Sequence, residues 1–443
     1  MFISQYPSSY LIRGARAVLA LIFTISSLLI PGIGYAQAVL NLPVAGTMLA
    51  VSDAYVPAMI RGVTIHPENP LQFNFIVDTG HSGISVNSQD FRIESTKMIK
   101  YFLASLTVPE QATWVNLSPY EENRIISEEL GRTEMGRDML AQDYLLKQLT
   151  ASLMYPEEEL GQSFWKRVNK QAQERYGTTE IPVDTISKVW IVPDKAVVYE
   201  QDNSVYVLER HLKVMLEEDF VGLEIHEKNK TFNDNPLGVN TPQAEALRKV
   251  ASEVVREILI PEIEKEVNTG KHFAPLRQIY NSMILAAWYK KSLKRSLLGQ
   301  IYVDQSKTQG IHLEDTSVHQ EIYDQYVEAF KKGVYNYIRE DIDPQTNELL
   351  PKKYFSGGFG TGLDTNGNGI LDGNETLEEK VKIVKGAAAS PVSKDVSTQQ
   401  IGDVGNVEVN LNESQIPLVA SPVTNLEETK ELYAEVYEEI VSD

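Results

Sequence analysis

The stretch from Lys188 to Leu216 decides the fold, and it reads KVWIVPDKAVVYEQDNSVYVLERHLKVML. Two runs, 188–200 and 205–216, are rich in β-branched and aromatic residues, which favour strands. Between them lies the polar tetrapeptide Gln201-Asp202-Asn203-Ser204, whose residue types favour a tight turn. The pattern therefore predicts a β-hairpin in the middle of the chain.

A second pair of strands is predicted closer to the N-terminus. Residues 58–65 and 71–77 are joined by the short segment His66-Pro67-Glu68-Asn69-Pro70. Apolar residues alternate with polar ones in the second run, as a half-buried strand requires; they are Leu71, Phe73, Phe75 and Val77.

Helical periodicity occupies most of the remaining chain. An apolar stripe at spacings of three and four begins at Phe91, and the same spacing indicates further helices. The predicted helices cover about 134–154, 157–176, 276–302 and 317–340, and another opens at Thr241-Pro242 and is kinked or ended by Pro261. The chain is therefore predicted to be α+β, a helix-rich module with short antiparallel strands and hairpins.

The first 36 residues have the three parts of a secretory signal peptide. Arg13 and Arg16 precede an apolar run from Ala17 to Ile30, and small residues around Ala36 suit signal peptidase. The run is shorter than the roughly 20 residues of a spanning helix, so we expect cleavage after Ala36 and no transmembrane span thereafter. The sequence therefore predicts a periplasmic or extracellular protein.

The mature chain is strongly acidic. Its formal charge is −20 before cleavage, and removal of the two signal-peptide arginines gives −20 − 2 = −22. This charge argues against nucleic acid as a partner, since nucleic-acid binding needs clustered Lys and Arg. The chain has no cysteine, which excludes a lipid-modified cysteine anchor and disulfide bonds.

Five segments follow from composition. Residues 1–36 are the signal peptide, and residues 37–355 are the α+β globular module. Residues 356–385 contain a calcium loop with an exiting helix from Leu377 to Lys385. Residues 386–424 lack periodicity and are predicted to be a disordered linker. Residues 425–443 recover the pattern of an acidic amphipathic helix, so the loop and the flexible acidic tail are expected to be appendages of the module.

The calcium loop is the segment DTNGNGILDGNE, residues 364–375. Calcium prefers six to eight oxygen ligands closed by a bidentate carboxylate, with glycine at the sharp turn in position six. Gly369 occupies that position. The predicted ligands are Asp364, Asn366, Asn368, the carbonyl of Ile370, Asp372 and Glu375.

These twelve residues resemble the loop of the EF-hand calcium-binding family. The glycine-rich residues 356–362 cannot form the entering helix of that family, and Thr376 replaces its usual apolar residue. The resemblance is therefore closer to the single calcium loops of exported bacterial proteins than to paired sensor hands. An Asn/Gly-rich turn without metal is the alternative.

Residues 75–80, FIVDTG, resemble the catalytic signature of aspartic proteases. Such enzymes use two aspartates that share one proton, whereas this chain has one Asp-Thr-Gly. His81 follows where a small residue is usual, and helical pattern begins after Asn87. We therefore predict that Asp78 ends a strand, with a periplasmic aspartic-type hydrolase as the alternative.

Charged residues crowd the predicted helix 134–154, and the favoured interpretation is a solvated face; the residues are Glu134, Arg137, Asp138, Asp143 and Lys147. Acid-base catalysis by their paired carboxylates is the alternative. The basic run Lys290, Lys291, Lys294 and Arg295 is likewise interpreted as a wet helix face, with an anionic envelope partner as the alternative. None of the seven histidines has the spacing of a zinc motif.

Longer segments resemble an uncharacterised family of exported bacterial proteins known from environmental genomes. The resemblance covers about residues 57–358, and the segments that carry it are FNFIVDTG (73–80), WVNLSPYE (114–121), TEMGRDMLAQDYLLKQLTASL (133–153), KVWIVPDKAVVYE (188–200), LRQIYNSMILAAWYKKSLKR (276–295) and KKYFSGG (352–358). It implies one module of constant length and no known activity. The sequence thus favours an exported calcium-binding structural or binding module of the cell envelope, with an envelope component or a protein as partner.

Overall fold

The computed structural model describes residues 42–44, 47–66, 68–117, 125–155, 157–177, 188–216, 219, 249–294, 324–325, 341–342, 349–350, 357–360, 377–384, 402–410 and 419–422. The elements below all belong to one unit, Pro43–Asp443. The predicted signal peptide 1–36, the predicted calcium loop 364–375 and the predicted acidic helix 425–443 lie outside the described residues. The same is true of almost all of the helix predicted at 317–340.

Most strands of the described chain belong to one mixed sheet. The strands are β1 (Met59–His66), β2 (Asn69–Asp78), β3 (Trp114–Val115), β4 (Val189–Gln201), β5 (Ser204–Leu216), β6 (Asp341–Ile342), β7 (Leu349–Leu350), β8 (Gly357–Gly360), β9 (Val381–Val384), β10 (Val404–Asn410) and β11 (Val419–Pro422). The sheet runs β11-β10-β2-β1-β5-β4-β8-β3, and β9 also pairs with β4. Strands β6 and β7 form a separate pair.

Both predicted hairpins are confirmed. Strands β1 and β2 pair antiparallel, and so do β4 and β5, from Gln201 opposite Ser204 to Val189 opposite Leu216. Asp202 has a φ of 52° in the β4–β5 turn. Aspartate tolerates this left-handed conformation better than most residues do, which explains the polar tetrapeptide between two apolar runs.

Helices confirm the α+β class. They are α1 (Gln89–Thr107), α2 (Glu128–Gly131), α3 (Glu134–Leu153), α4 (Glu159–Tyr176), α5 (Ile260–Thr269), α6 (Ala274–Lys294) and α7 (Leu377–Lys380). Ser88 and Thr133 cap α1 and α3 by accepting from the N–H groups of Phe91 and Gly136. Gly177 ends α4 with a φ of 70°.

The interruption predicted at Pro261 is a change of helix type. Residues 249–254 are α-helical, Val255–Leu259 form a π-helical turn, and α5 begins at Ile260 with proline in its first turn. Proline lacks the N–H that would continue the ladder. The wider π turn just before it lets the chain remain helical.

Aromatic packing joins the sheet to the helices. Phe73 and Phe75 of β2 contact Phe102 of α1, with ring centroids 5.3 and 5.0 Å apart. Phe73 also contacts Tyr289 of α6 at 5.1 Å. All four rings are fully buried, so α1 and α6 cover the N-terminal strands.

The sheet extends beyond the module boundary predicted at residue 355. Strand β10 lies in the predicted linker 386–424, yet it pairs with β2 along its whole length. Its alternating Val407 and Val409 are buried. The pattern was too short to distinguish from its Ala/Ser/Thr-rich surroundings, and strand formation depends on the partner strand rather than on local propensity.

The segments on either side of the predicted calcium loop are also part of the sheet. Strand β8 pairs parallel with residues 189–191 of β4, and β9 pairs parallel with residues 196–199 of the same strand. The predicted exiting helix 377–385 is limited to α7, because Val381 already begins β9. The loop is therefore inserted between two anchored strands and is not an appendage.

Helix α5 covers the outer half of β5. Strand β1 pairs with β5 only at residues 204–206. Further along, the side-chain amide of Asn268 accepts from the N–H of Leu212 and donates to its carbonyl, at 2.9 and 2.8 Å. Glu264 accepts from the N–H of Val214 at 2.8 Å. Side chains of α5 thus take the place of a neighbouring strand.

No helix in the described part of the chain is both long and apolar enough to cross a membrane.

Candidate functional site

Asp78 ends β2 inside the protein. Its side chain is 1% exposed, and Oδ2 accepts from Nε of Arg61 at 3.1 Å. The other oxygen, Oδ1, accepts from the backbone N–H groups of Gly80 and Gly402 at 2.9 and 2.8 Å. The carboxylate therefore neutralises a buried guanidinium and fixes two backbone segments.

The backbones of Gly80 and Gly402 approach each other closely, and both positions require glycine. A Cβ on Gly402 would lie 2.6 Å from the backbone N and O of Gly80, and Gly80 itself has a φ of 53°. The N–H of Thr79 also donates to the carbonyl of Asp403 at 2.9 Å. The Asp-Thr-Gly sequence is thus the point where β2 is joined to the start of β10.

A catalytic aspartate would need a second carboxylate facing it across an open cleft. The described groups that contact the Asp78 carboxylate are instead a cation and two amides. These contacts are those of a structural residue that joins chain segments. The geometry favours the strand-end interpretation over the aspartic-protease alternative.

Helix α3 brings together the charged residues that its sequence suggested would face solvent. That interpretation is wrong for four of the five, because Arg137, Asp138, Asp143 and Lys147 are all 9% exposed or less. The helix is covered on several sides by α1, α4, β3 and β8. Periodicity did not indicate this burial, because charged residues are rarely buried unless they are paired.

The first buried cluster joins Asp143 to Lys147. Their side chains are 0% exposed and form an ion pair through Oδ2 of Asp143. The same oxygen accepts from the N–H of Leu117 at 2.7 Å, next to strand β3. Burial raises the pKa of Asp143 to about 6, an effect that Lys147 partly opposes. Within the described chain, Oδ1 of Asp143 has no hydrogen-bond partner.

The second buried cluster joins α3 to α1. Asp138 accepts from the hydroxyl of Tyr101 and from Nε of Arg137. Glu134 bridges Arg137 at 3.2 Å and Lys100 at 2.8 Å. Burial raises the pKa of Asp138 and that of Tyr101. Each charge has an opposite partner, so the network acts as a polar connection between two helices.

A histidine with two carboxylate neighbours was missed in the sequence. Nδ1 of His211 lies 3.0 Å from Asp194, and Nε2 lies 3.4 Å from Glu264. Asp194 is the bulged residue of β4, between Pro193 and Lys195. Counting from the hairpin turn would have indicated this pair, since Asp194 is seven residues before Gln201 and His211 is seven after Ser204.

We expect His211 to make stability depend on pH in the alkaline range. Hydrogen bonds to Asp194 and then to Glu264 raise the pKa of His211 from 6.5 to about 9. A raised histidine pKa contributes stability that is complete below pH 6.5 and is lost as pH rises through about 9. The free energy of unfolding of the wild type, measured by chemical unfolding, should therefore fall between pH 6.5 and about 9. That of His211→Gln should not show this fall.

His66→Gln is the matched control for this titration. His66 also lies near a carboxylate, at 3.6 Å from Glu68, but that partner is 77% exposed. The control should keep the alkaline fall of the wild type. An identical pH profile for wild type and His211→Gln would contradict the assignment.

The predicted calcium ligands lie outside the described residues, but their flanks are well defined. Phe359 of β8 and Leu377 of α7 are 2% and 3% exposed. The N–H of Leu377 donates to Glu110 at 2.7 Å, and Lys380 donates to the carbonyl of Pro193 at 3.1 Å. In the described part of the chain, no group of three or more His, Asp or Glu is arranged to hold a metal ion.

Comparison of the chain with protein-family models, with curated proteins and with solved structures gives no match.

Proposed function

We propose that the chain is an exported module of the cell envelope that binds calcium and has a structural or binding role. The proposed ligands are the side chains of Asp364, Asn366, Asn368, Asp372 and Glu375 with the carbonyl of Ile370. Calcium is the cofactor, because the twelve residues provide oxygen ligands with glycine at the turn and glutamate at the end.

The anchoring of the loop at both ends supports this proposal most strongly. Residues 361–376 connect β8 to α7, and β8 and β9 both pair with β4. Side chains on both flanks are buried. A loop whose ends are already fixed loses less conformational entropy when a metal orders it.

The buried environment of Asp78 supports a non-catalytic role for the module. The polar groups that contact its carboxylate are occupied in holding β1, β2 and β10 together. A periplasmic hydrolase acting through Asp78 is the competing hypothesis, and the Asp78 variants described in the Discussion separate the two.

Calcium is expected to stabilise the whole sheet. At a concentration about a hundred times the dissociation constant, binding adds roughly 2.7 kcal/mol to the free energy of unfolding. With an unfolding entropy of about 2.1 cal/mol/K per residue over about 400 residues, this corresponds to a rise of roughly 3 °C in the unfolding midpoint. Calorimetry and thermal unfolding with and without calcium measure the two effects.

Glu375→Gln removes the bidentate ligand and should abolish both effects. Glu378→Gln makes the same change in charge three residues outside the loop and should leave both as in wild type. If millimolar calcium gives no binding heat, and the two variants behave as wild type does, the loop is an ordinary turn and the proposal fails.

A further inference from the structure

The chain segment that precedes the sheet is held in a groove between helices. We call residues 43–44 and 47–56 the N-terminal arm. The arm has no regular secondary structure beyond one bridge between Ala54 and Gly270. Its hydrogen bonds from residue 43 to residue 55 that leave the arm go to α3, α5, α6 and the turn between α5 and α6. These elements come about 100 to 220 residues later in the chain.

A row of polar side chains on α3 binds the first half of the arm. The row consists of residues spaced by four, so they share one face of the helix: Tyr144, Gln148 and Ser152. Tyr144 and Gln148 donate to the carbonyls of Pro43 and Val44 at 3.0 and 3.2 Å. The hydroxyl of Ser152 accepts from the N–H of Leu49 at 2.9 Å. All three contacts are to the arm's backbone.

Ser52 is the arm residue whose own side chain is bound most closely. Its N–H donates to the Glu266 carboxylate at 2.8 Å, and its hydroxyl donates to the other oxygen of that carboxylate. The same hydroxyl accepts from the N–H of Lys271. Glu266 is 1% exposed, so without Ser52 a buried carboxylate would lose two of its donors.

The last part of the arm is again bound through its backbone. The N–H of Tyr55 donates to the carbonyl of Thr269 at 2.8 Å. Its carbonyl accepts from Nη2 of Arg277 at 2.7 Å. Nε2 of His272 lies 3.1 Å from the carbonyl of Ala50. The groove therefore binds the backbone of the arm at several points between Pro43 and Tyr55, and it binds one serine hydroxyl near the middle.

The apolar side chains of the arm contribute little to this recognition. Val44, Met48 and Val51 are 79%, 37% and 38% exposed. These three are among the five large hydrophobic residues that are exposed in the described chain. Recognition through backbone hydrogen bonds, with one side chain bound specifically, is one way in which proteins bind peptides.

We propose that this groove is a peptide-recognition site and that its partner is the arm of a second copy of the chain. The arm ends at Val56, before the first sheet strand begins at Met59. Exchange of arms between two copies would therefore preserve the contacts described from Pro43 to Tyr55 and leave every strand in place, with residues 56–58 as the connection. Such swapping of a terminal element is a low-cost route to a dimer. The second copy necessarily supplies the Ser52 that the groove recognises.

The absence of cysteine gives a direct test on the full mature chain. Leu49→Cys places one thiol on the arm and Ser152→Cys places one in the groove. In the wild type the backbone N of Leu49 lies 2.9 Å from Oγ of Ser152. The two single variants are mixed at increasing concentration and then oxidised. Exchange predicts a disulfide-linked species with the mass of two chains, while the double variant also forms the link within one chain.

Two controls define the outcome. Ile93 lies on α1 and is 56% exposed. When Ile93→Cys replaces Ser152→Cys in the mixture, no disulfide-linked dimer with Leu49→Cys is expected. A synthetic peptide of residues 43–56 should suppress the linked dimer, whereas the peptide with Ser52→Val should not. If the mixture stays at the mass of one chain at every concentration, the groove serves only its own arm and the proposal is overturned.

Discussion

Replacing Lys147 with methionine is expected to reduce the free energy of unfolding by about 3–5 kcal/mol at neutral pH, the cost typical of breaking a buried ion pair from one side. Methionine fills a similar volume, so packing is largely retained. What remains is the carboxylate of Asp143, which is 0% exposed and keeps the N–H of Leu117 as a donor. An uncompensated buried charge is the source of the loss.

The pH dependence of this variant separates charge from packing. Burial already raises the pKa of Asp143 above that of the unfolded chain, and loss of Lys147 removes a group that lowers it. A folded state that binds the proton more tightly is stabilised at low pH and loses that stability as pH rises through the folded-state pKa. The defect of Lys147→Met should therefore be smaller in mild acid than above neutral pH.

Lys170→Met is the matched control for the buried pair. Lys170 and Glu174 have the same four-residue spacing on α4 but are 70% and 61% exposed. Their loss should change stability by less than about 0.5 kcal/mol. Adding Asp143→Asn to Lys147→Met should recover part of the loss. A Lys147→Met protein as stable as the control in chemical unfolding would show that the pair contributes nothing.

Replacing Asp78 with alanine is expected to reduce the free energy of unfolding by a similar amount, about 3–5 kcal/mol. The change removes the Asp78 carboxylate from the Arg61 guanidinium and removes the acceptor of the N–H groups of Gly80 and Gly402. Asp78→Asn keeps one side-chain oxygen as an acceptor, so its free energy of unfolding should fall by less. Asp403→Ala, an exposed aspartate at the same junction, should be close to neutral.

The same variants test the hydrolase hypothesis. If Asp78 is structural, wild type and Asp78→Asn should give the same result in an assay of protein cleavage at acidic pH. Cleavage by wild type that disappears in a folded Asp78→Asn protein would identify Asp78 as catalytic and overturn the proposed function.

Local pattern was sufficient for the elements that carry their own signal. The hairpin at 188–216 was predictable because strand-forming runs flank a turn. Helices α3 and α4 were predictable from their periodicity, and Gly177 marks the end of α4 in the sequence. Strand β10 was not predictable, because its seven residues become a strand only through pairing with β2, more than 300 residues earlier. Short strands depend on their partners more than on their own composition.

The sites divide in the same way. The proposed calcium loop is recognisable as a motif because its candidate ligands are contiguous in sequence. The pairing of its flanking strands with β4 was not predictable from the sequence. The charged residues of α3 were recognised as a group, but they were predicted to face solvent and four of the five are buried. The N-terminal arm gave no signal, because Ser52 and Glu266 are 214 residues apart and their contact depends on the folded chain.

The side-chain cover that α5 gives to β5 has a consequence for aggregation. An exposed strand edge can template pairing with another chain. Here the N–H groups of Leu212 and Val214 are bonded by side chains of Asn268 and Glu264 rather than by a strand. This part of β5 is therefore protected from intermolecular strand pairing only while α5 is docked on it. Because β5 is synthesised well before α5, the edge of the nascent β4–β5 hairpin is uncovered for a time. We expect this hairpin to be the segment most prone to pair with other nascent chains.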